Sequence, residues 1–208
     1  MARLLDKLAR LPLLAIAAAA ATALSQGAER KELVLAMDSI EIDGATNLMH
    51  IKHPRITQDA MSIEADEALA TGTNFDERSE WRFTGNVKIT VENAVMEAGS
   101  AVFTFEEQQL SRGEIEGAPA SFTHDDPARP KPMSGTAPKM SYDYVARTLR
   151  LTDDVWLRRG EVEMHGCDFI YNLATGGFAS GDADCENPLR FRVLRNAEEQ
   201  PPAAAPPQ

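Results

Sequence analysis

The chain has 208 residues, enough for one or two small domains, and a formal net charge of −11. An acidic surface repels nucleic acid and anionic headgroups, so the charge excludes nucleic acid as a partner. Any anionic lipid bound by this chain would have to be held mainly through its apolar part.

The N-terminus has the plan of a secretory signal peptide. Arg3, Lys7 and Arg10 form a basic start, and an uncharged, Ala-rich run occupies residues 11–24. The run is short for a bilayer, which needs about 20 apolar residues. Residues 1–25 are therefore predicted to be a cleaved signal peptide, with a retained membrane anchor as the alternative.

The rest of the chain alternates between apolar and polar residues with a period of two, which predicts β-strands. In residues 82–91, for example, Phe83, Val87, Ile89 and Val91 share one face. Turn signals between such runs lie at Gly72, Gly113, Gly117-Ala118-Pro119, Gly135, Asp153-Asp154, Gly160 and Gly176-Gly177. This spacing predicts an antiparallel sandwich, roll or barrel.

Two proline-rich segments are predicted to lie outside the sheet. Residues 125–138 contain four prolines, which favours a loop over a central strand. Residues 196–208 are rich in Pro and Ala and are predicted to form a disordered tail. The folded domain is expected within residues 29–195.

An internal repeat is visible at an offset of 68 residues. Residues 82–87 align with residues 150–155, and the same offset pairs Met96 with Met164. A duplication would mean two stacked sets of hairpins, neither of which could bury its apolar face alone. Alternation shared by all β-rich sequences is the other explanation.

Large apolar residues on the inward face of this fold would either pack as a core or line an apolar groove. Both interpretations stay open at the level of sequence. The candidate lining residues are Ile63, Phe83, Val87, Ile89, Met96, Phe103, Phe122, Tyr142, Tyr144, Leu151, Met164 and Phe169.

The only two cysteines, Cys167 and Cys185, lie at equal distances from Gly176. If residues 167–173 and 178–185 form a hairpin around this turn, the cysteines face each other with Cα atoms about 4.5–5.5 Å apart. That separation is within disulfide range. The second run is a poor strand sequence, so two free thiols are the alternative.

Motifs for catalysis or metal binding are missing from the sequence. It contains neither His-Glu-x-x-His nor Gly-x-Ser-x-Gly. His50 and His53 would point to opposite faces of a strand, and the acidic pairs at 125–126 and 153–154 fall at turn signals. The chain is therefore predicted not to be an enzyme, and neither a cofactor nor a metal ion is expected.

Seven short motifs follow one another in a fixed order between residues 60 and 175. They are Ser62–Ala68, Phe83–Val87, Glu116–Phe122, Gly135–Ala137, Met140–Asp143, Thr148–Thr152 and Gly166–Tyr171. As an ordered set they resemble the OstA-like lipopolysaccharide-transport family, and are similar to its soluble LptA-type members. The chain departs from the common Ala-Asp of that family at Ala98-Gly99.

The resemblance implies a β-jellyroll whose apolar interior holds the acyl chains of lipid A. Phe122, Tyr142 and Tyr144 fall where the family lines that interior. The implied function is a periplasmic lipopolysaccharide-binding protein that bridges the inner and outer membranes. Its implied partners are lipopolysaccharide and other jellyroll proteins of the export system, paired edge to edge, with self-association possible.

Two further interpretations stay open beside the soluble bridge. Residues 51–66 look more like the LptC-type relatives, which implies a component anchored in the inner membrane and facing the periplasm. A structural or adhesion β module without a transport role would have a closed core and capped edges.

Overall fold

The chain folds as an all-β protein, as predicted. The computed structural model describes residues 32–71, 78–107, 109–181, 185 and 189–194. Within these ranges, 14 strands form one antiparallel sheet and no helix occurs. The predicted leader, residues 1–25, and the predicted tail, residues 196–208, lie outside the described residues.

Six short strands come first, followed by six long ones and then two short ones. The bounds are β1 Leu33–Ala36, β2 Ser39–Asp43, β3 Leu48–Lys52, β4 Arg55–Gln58, β5 Met61–Glu64, β6 Glu67–Thr71, β7 Ser79–Val91, β8 Ala94–Glu106, β9 Gln109–His124, β10 Met133–Asp143, β11 Thr148–Arg159, β12 Val162–Asn172, β13 Phe178–Ser180 and β14 Arg190–Val193. Strands β7 to β12 pair in chain order, each with the next.

The long strands bend where their pairing registers shift. The shifts follow Thr84 in β7 and Thr152 in β11, and they are aligned across the sheet. On each long strand one paired position adjoins the shift. These six positions form a row across the sheet, Thr84–Ser100–Glu116–Lys139–Thr152–Asp168. A bulge bends its strand and increases the local twist. We call this row the bulge line, because it folds the sheet into two leaves.

Each leaf contains one half of every long strand and its own short strands. β7 pairs with β5 through Lys88–Val91 and with β6 through Glu80–Thr84. At the other end, β12 pairs with β14 through Val162–His165 and with β13 through Phe169–Tyr171. Leaf one therefore carries β1, β4, β5 and β14, and leaf two carries β2, β3, β6 and β13. The sheet forks at both ends.

The 68-residue repeat coincides with two of these bends. Residues 82–87 and 150–155 contain the register shifts of β7 and β11. Both contain left-handed backbone: φ is 74° at Gly85 and 79° at Asp153. Gly85 also lies so close to the Asp66 carboxylate that an added Cβ would be 2.4 Å from its oxygen. The repeat therefore marks equivalent crossings between the leaves.

The predicted loop over residues 125–138 is wrong for its second half. Met133–Asp143 is β10, a central strand paired on both sides. Pro138 is tolerated there because it sits between Ala137 and Lys139, in the register shift where the ladder is interrupted. Residues 125–132 form the expected connection between β9 and β10.

Several turn signals also lie inside strands, whereas Gly160 and Gly176-Gly177 do form turns. Gly113 and Gly135 are strand glycines that leave room for neighbouring rings. A Cβ at Gly113 would lie 2.3 Å from Phe103, and one at Gly135 would lie 2.8 Å from Phe122. At these glycines the interior packs closely, and the chain does not reverse direction there.

Candidate functional site

The space between the two leaves is apolar and continuous. The structure brings all 12 predicted lining residues into or against one hydrophobic cluster. Eleven of them are at most 2% exposed, and Tyr144 is partly buried against the cluster. Phe122 of leaf one contacts Tyr171 of leaf two with ring centroids 5.6 Å apart, so the leaves face each other across this cluster.

An aromatic row in leaf two extends the predicted set. Trp81 lies 6.2 Å from Phe83 and 5.9 Å from Phe105, and Phe83 lies 5.7 Å from Phe103, measured between ring centroids. The sequence prediction omitted Trp81 and Phe105. Continuing the period-two pattern outward from Phe83 and Phe103 would have found both.

Burial keeps the interior uncharged. It raises the pKa of Tyr142 to about 12, so this phenol stays protonated at neutral pH. Its ring lies 6.4 Å from that of Tyr144. The arrangement is suited to binding hydrocarbon and offers no charged group for acid–base chemistry at this position.

Polar contacts join the borders of the leaves on the side away from the bulge line. His124 Nδ1 lies 2.8 Å from the Tyr171 hydroxyl oxygen, which connects the end of β9 in leaf one to the end of β12 in leaf two. A Glu92–Arg147 ion pair joins the β7–β8 turn to the β10–β11 turn. We call these contacts, with those of Arg129 and Arg159 described next, the seam.

Two arginines of leaf one complete the seam at the turn between β12 and β13. Arg159 Nη2 donates to the carbonyl of Gly176 at 2.7 Å. Arg129 Nη2 donates to the carbonyl of Ala174 at 3.2 Å. The seam therefore closes the interior along the C-terminal half of the molecule.

The buried imidazole of the seam is neutral at neutral pH. Burial lowers the pKa of His124, and the nearby Asp126 only partly opposes this. Burial also raises the pKa of its partner Tyr171. A neutral hydrogen bond therefore holds the leaves together at this point.

The forked ends carry short strands with exposed apolar side chains. At the N-terminal end these are Val34 on β1 and Ile40 and Ile42 on β2. At the C-terminal end Phe191 and Val193 on β14 are more than half exposed. In the described part of the chain, β1 pairs only with β4 and β2 only with β3, so each has an outer edge.

Cys167 and Cys185 form a disulfide in the structure, with Cα atoms 5.7 Å apart. The expected hairpin exists, but its register differs from the prediction. Phe169 pairs with Ser180, so the cysteines are not direct cross-strand partners. The bond instead attaches the segment after β13 to the outer edge of β12. Its presence in the purified protein stays a prediction.

A partly buried ion pair lies beside this disulfide. Arg150 donates to both carboxylate oxygens of Asp168, at 2.9 Å and 2.6 Å, and the Asp168 side chain is fully buried. Bidentate pairs of this kind fix geometry as well as charge. The C-terminal end of leaf two is therefore fastened by both covalent and ionic contacts.

The candidate metal ligands do not converge. His50 is exposed on β3, and His53 lies 2.8 Å from the Asp38 carboxylate on the surface. Across the residues that the structure describes, no three His, Cys, Asp or Glu side chains form a group that could hold a metal ion. Nor does any described segment form a helix long and apolar enough to cross a membrane.

Comparison with known proteins identifies a family and a related fold. The profile of a family described as LptA/(LptD N-terminal domain) LPS transport protein matches residues 62–177, more than half of the chain. The crystal structure of LptH from Pseudomonas aeruginosa, described as the LptA-homologous periplasmic component of a lipopolysaccharide transport device, matches with a TM-score of 0.50 and 10% identity. That match covers 79% of this chain and 96% of LptH. No curated protein sequence matches the chain.

Proposed function

Because the chain belongs to the LptA/(LptD N-terminal domain) family of lipopolysaccharide transport proteins, we propose that it carries lipopolysaccharide through the periplasm and shields the lipid A acyl chains between its leaves. The continuous apolar interior supports this proposal most strongly. Its inward residues, such as Phe83, Met96 and Phe122, are buried and come from both leaves. Removing acyl chains from water is favourable by about 0.8 kcal/mol for each buried CH₂ group.

Access to this interior requires the leaves to separate, because the lining residues are in contact with one another. The seam is the border at which polar contacts, rather than apolar side chains alone, join the two leaves. Its Glu92–Arg147 pair is partly exposed, and exposed pairs contribute about 0–1 kcal/mol. Lipid therefore enters along the seam while the bulge line acts as the hinge.

Site-specific photocrosslinking tests the interior. A photoreactive phenylalanine analogue at Phe122 or Tyr142 conserves an aromatic ring, and we expect it to capture lipopolysaccharide. The control position is Trp156, an aromatic residue on the outer face of β11. Equal capture at Trp156 and Phe122, or capture at neither interior position, would contradict the proposal.

A covalent lock tests access through the seam. Glu92 and Arg147 are replaced by cysteines, and the pair is joined by a short bismaleimide. We expect the linked protein to lose lipopolysaccharide loading, whereas each single cysteine variant with the same reagent retains it. Loading of the linked protein at the wild-type rate would show that lipid enters elsewhere.

The proposal includes a bridge built by edge pairing. The outer edges of β1 and β2 present unpaired backbone groups that strand addition would satisfy. Exposed Ile42 at this end and Val193 at the other would become buried in such a contact. Photocrosslinkers at both positions should capture jellyroll partners or a second copy, and a protein that is monomeric and captures nothing would contradict the bridge.

Periplasmic localisation is part of the same proposal, and it distinguishes the soluble bridge from the anchored component. We propose that residues 1–25 direct export and are then removed. N-terminal sequencing of the periplasmic protein should find a start near residue 26. Recovery of the intact N-terminus in the membrane fraction would favour the LptC-type interpretation.

A further inference from the structure

A cationic pocket lies on the surface next to the seam. It has a volume of about 320 Å³ and is lined by Arg129, Lys131, Arg159, Pro130, Val162 and Val193, together with Glu161. Three cations in one pocket are unusual for a chain with 32 acidic and 21 basic residues. The neighbouring apolar side chains of Val162 and Val193 are paired across β12 and β14.

The charges of the pocket are not all neutralised by neighbours. Arg129 pairs with Asp126 at 2.6 Å, and Lys131 Nζ lies 3.7 Å from Glu161. Among the described residues no carboxylate lies within ion-pair distance of Arg159, and its buried Nε has no hydrogen-bond partner. The positive charge of Arg159 is therefore not neutralised by a carboxylate of the described residues and is available to an anionic ligand.

The two guanidinium groups are held in place by the turn that they contact. The Arg159 Cζ atom lies 5.9 Å from the ring centroids of both Tyr171 and Phe178. Arg129 packs on Gly176 so closely that an added Cβ would lie 2.3 Å from its Cζ. The site is thus preorganised from both leaves, at the border where acyl chains would enter.

We infer that this pocket binds a phosphomonoester, and specifically the phosphorylated sugar headgroup of a lipopolysaccharide molecule whose acyl chains enter the interior through the seam. The inference rests on the proposed function. Arginine forks match phosphate geometry, and charge-assisted bonds of this type are the strong ones. An otherwise acidic chain needs such a local site to tolerate an anionic headgroup.

Paired lipids test the inference on the exported protein. Affinity is measured for lipid A with its phosphates and for the same lipid A after phosphatase treatment, in wild type, Arg159→Gln and Lys131→Gln. We expect wild type to bind the phosphorylated lipid about tenfold more tightly, as one charged hydrogen bond would provide. Both variants should lose this preference while still binding the dephosphorylated lipid.

A matched control separates the pocket from charge in general. Lys139 lies 3.7 Å from Asp153 and is about as exposed as Lys131, but on β10 away from the pocket. Lys139→Gln should keep the full preference. If Arg159→Gln does not fold, exposed Lys131→Gln still carries the test.

The remaining outcomes have distinct meanings. Equal affinity of wild type for the two lipids overturns the headgroup site and leaves the carrier function standing. Binding of neither lipid rejects the carrier function itself. Stabilisation of wild type but not of Arg159→Gln by inorganic phosphate, with no preference between the lipids, would assign the pocket to free phosphate and overturn the headgroup inference.

Discussion

The interior and the seam hold the same two leaves together by different means. The interior does so through buried apolar side chains from every long strand, whereas the seam uses a few polar contacts, of which the His124–Tyr171 contact is buried and the Glu92–Arg147 pair is partly exposed. Apolar burial contributes about 25 cal/mol per Å², and partly exposed polar contacts contribute much less each. The leaves should therefore part first along the seam, with the interior setting the total stability.

Truncating a side chain in the interior should lower the free energy of unfolding more than any other change proposed here. Phe103→Ala removes a ring that is fully buried against Phe83, and we expect a loss of about 3–5 kcal/mol in the free energy of unfolding. Urea denaturation measures it. The control is Phe191→Ala on β14, whose side chain is 57% exposed. Equal losses for the two variants would mean that the interior is not the stabilising element.

Removing the disulfide should have the next largest effect, although the bond lies at the C-terminal edge and outside the seam. Its cysteines are 18 residues apart, and closing such a loop stabilises by about 3 kcal/mol in the chain-entropy model. Cys167→Ser/Cys185→Ser should unfold at correspondingly lower urea concentration. Two thiols that react with an alkylating agent before reduction would show that the protein has no such bond.

Acidification should weaken the seam through His124. Its pKa is lowered by burial, so the unfolded chain binds more protons than the native state once the pH falls below the ordinary value of 6.5. This contribution to stability is present above pH 6.5 and is lost as the pH falls. The charged and titratable groups near the imidazole are Tyr171, Asp126, Arg129, Arg159 and Glu92.

Unfolding measured from about pH 8 to about pH 5 tests this effect. Wild type should lose more stability on acidification than His124→Gln does, and the control His50→Gln, at an exposed position, should behave like wild type. A His124→Gln variant with the pH dependence of wild type would show that the seam histidine does not titrate with folding.

The smallest effect is expected at the ion pair of the seam. Glu92→Gln should cost about 0.2–1 kcal/mol, because the pair with Arg147 is partly exposed. A double-mutant cycle with Arg147→Gln measures the coupling, which should shrink in high salt. A salt-independent coupling of several kcal/mol would mean that the seam is as strong as the interior.

Alternation in the sequence predicts the strands and the interior but not the seam. Phe83 and Ile89 follow the period of two, and each lies on the inward face of β7. His124 and Tyr171 are 47 residues apart and come from different leaves, so no local pattern relates them. Their contact depends on how the bulge line folds the sheet.

The other errors of the sequence prediction come mainly from residues that break a local rule at a bulge. Pro138 argues against a strand when read alone, yet the register shift between Ala137 and Lys139 removes the need for its missing donor. Asp153 looks like a turn residue, and it has the backbone angle of one, but it lies within β11. The register between β12 and β13 likewise depends on turn geometry that cysteine spacing does not reveal.

The bulge line has a consequence for the growth of such a molecule. Since every long strand crosses it, each added hairpin lengthens both leaves by the same amount and leaves the cross-section unchanged. Ten strands per leaf in the described part of the chain, at about 4.8 Å between neighbours, give a trough of roughly 43 Å. The length of the trough therefore depends on the number of hairpins. Duplication of a hairpin segment lengthens the trough and keeps the same cross-section.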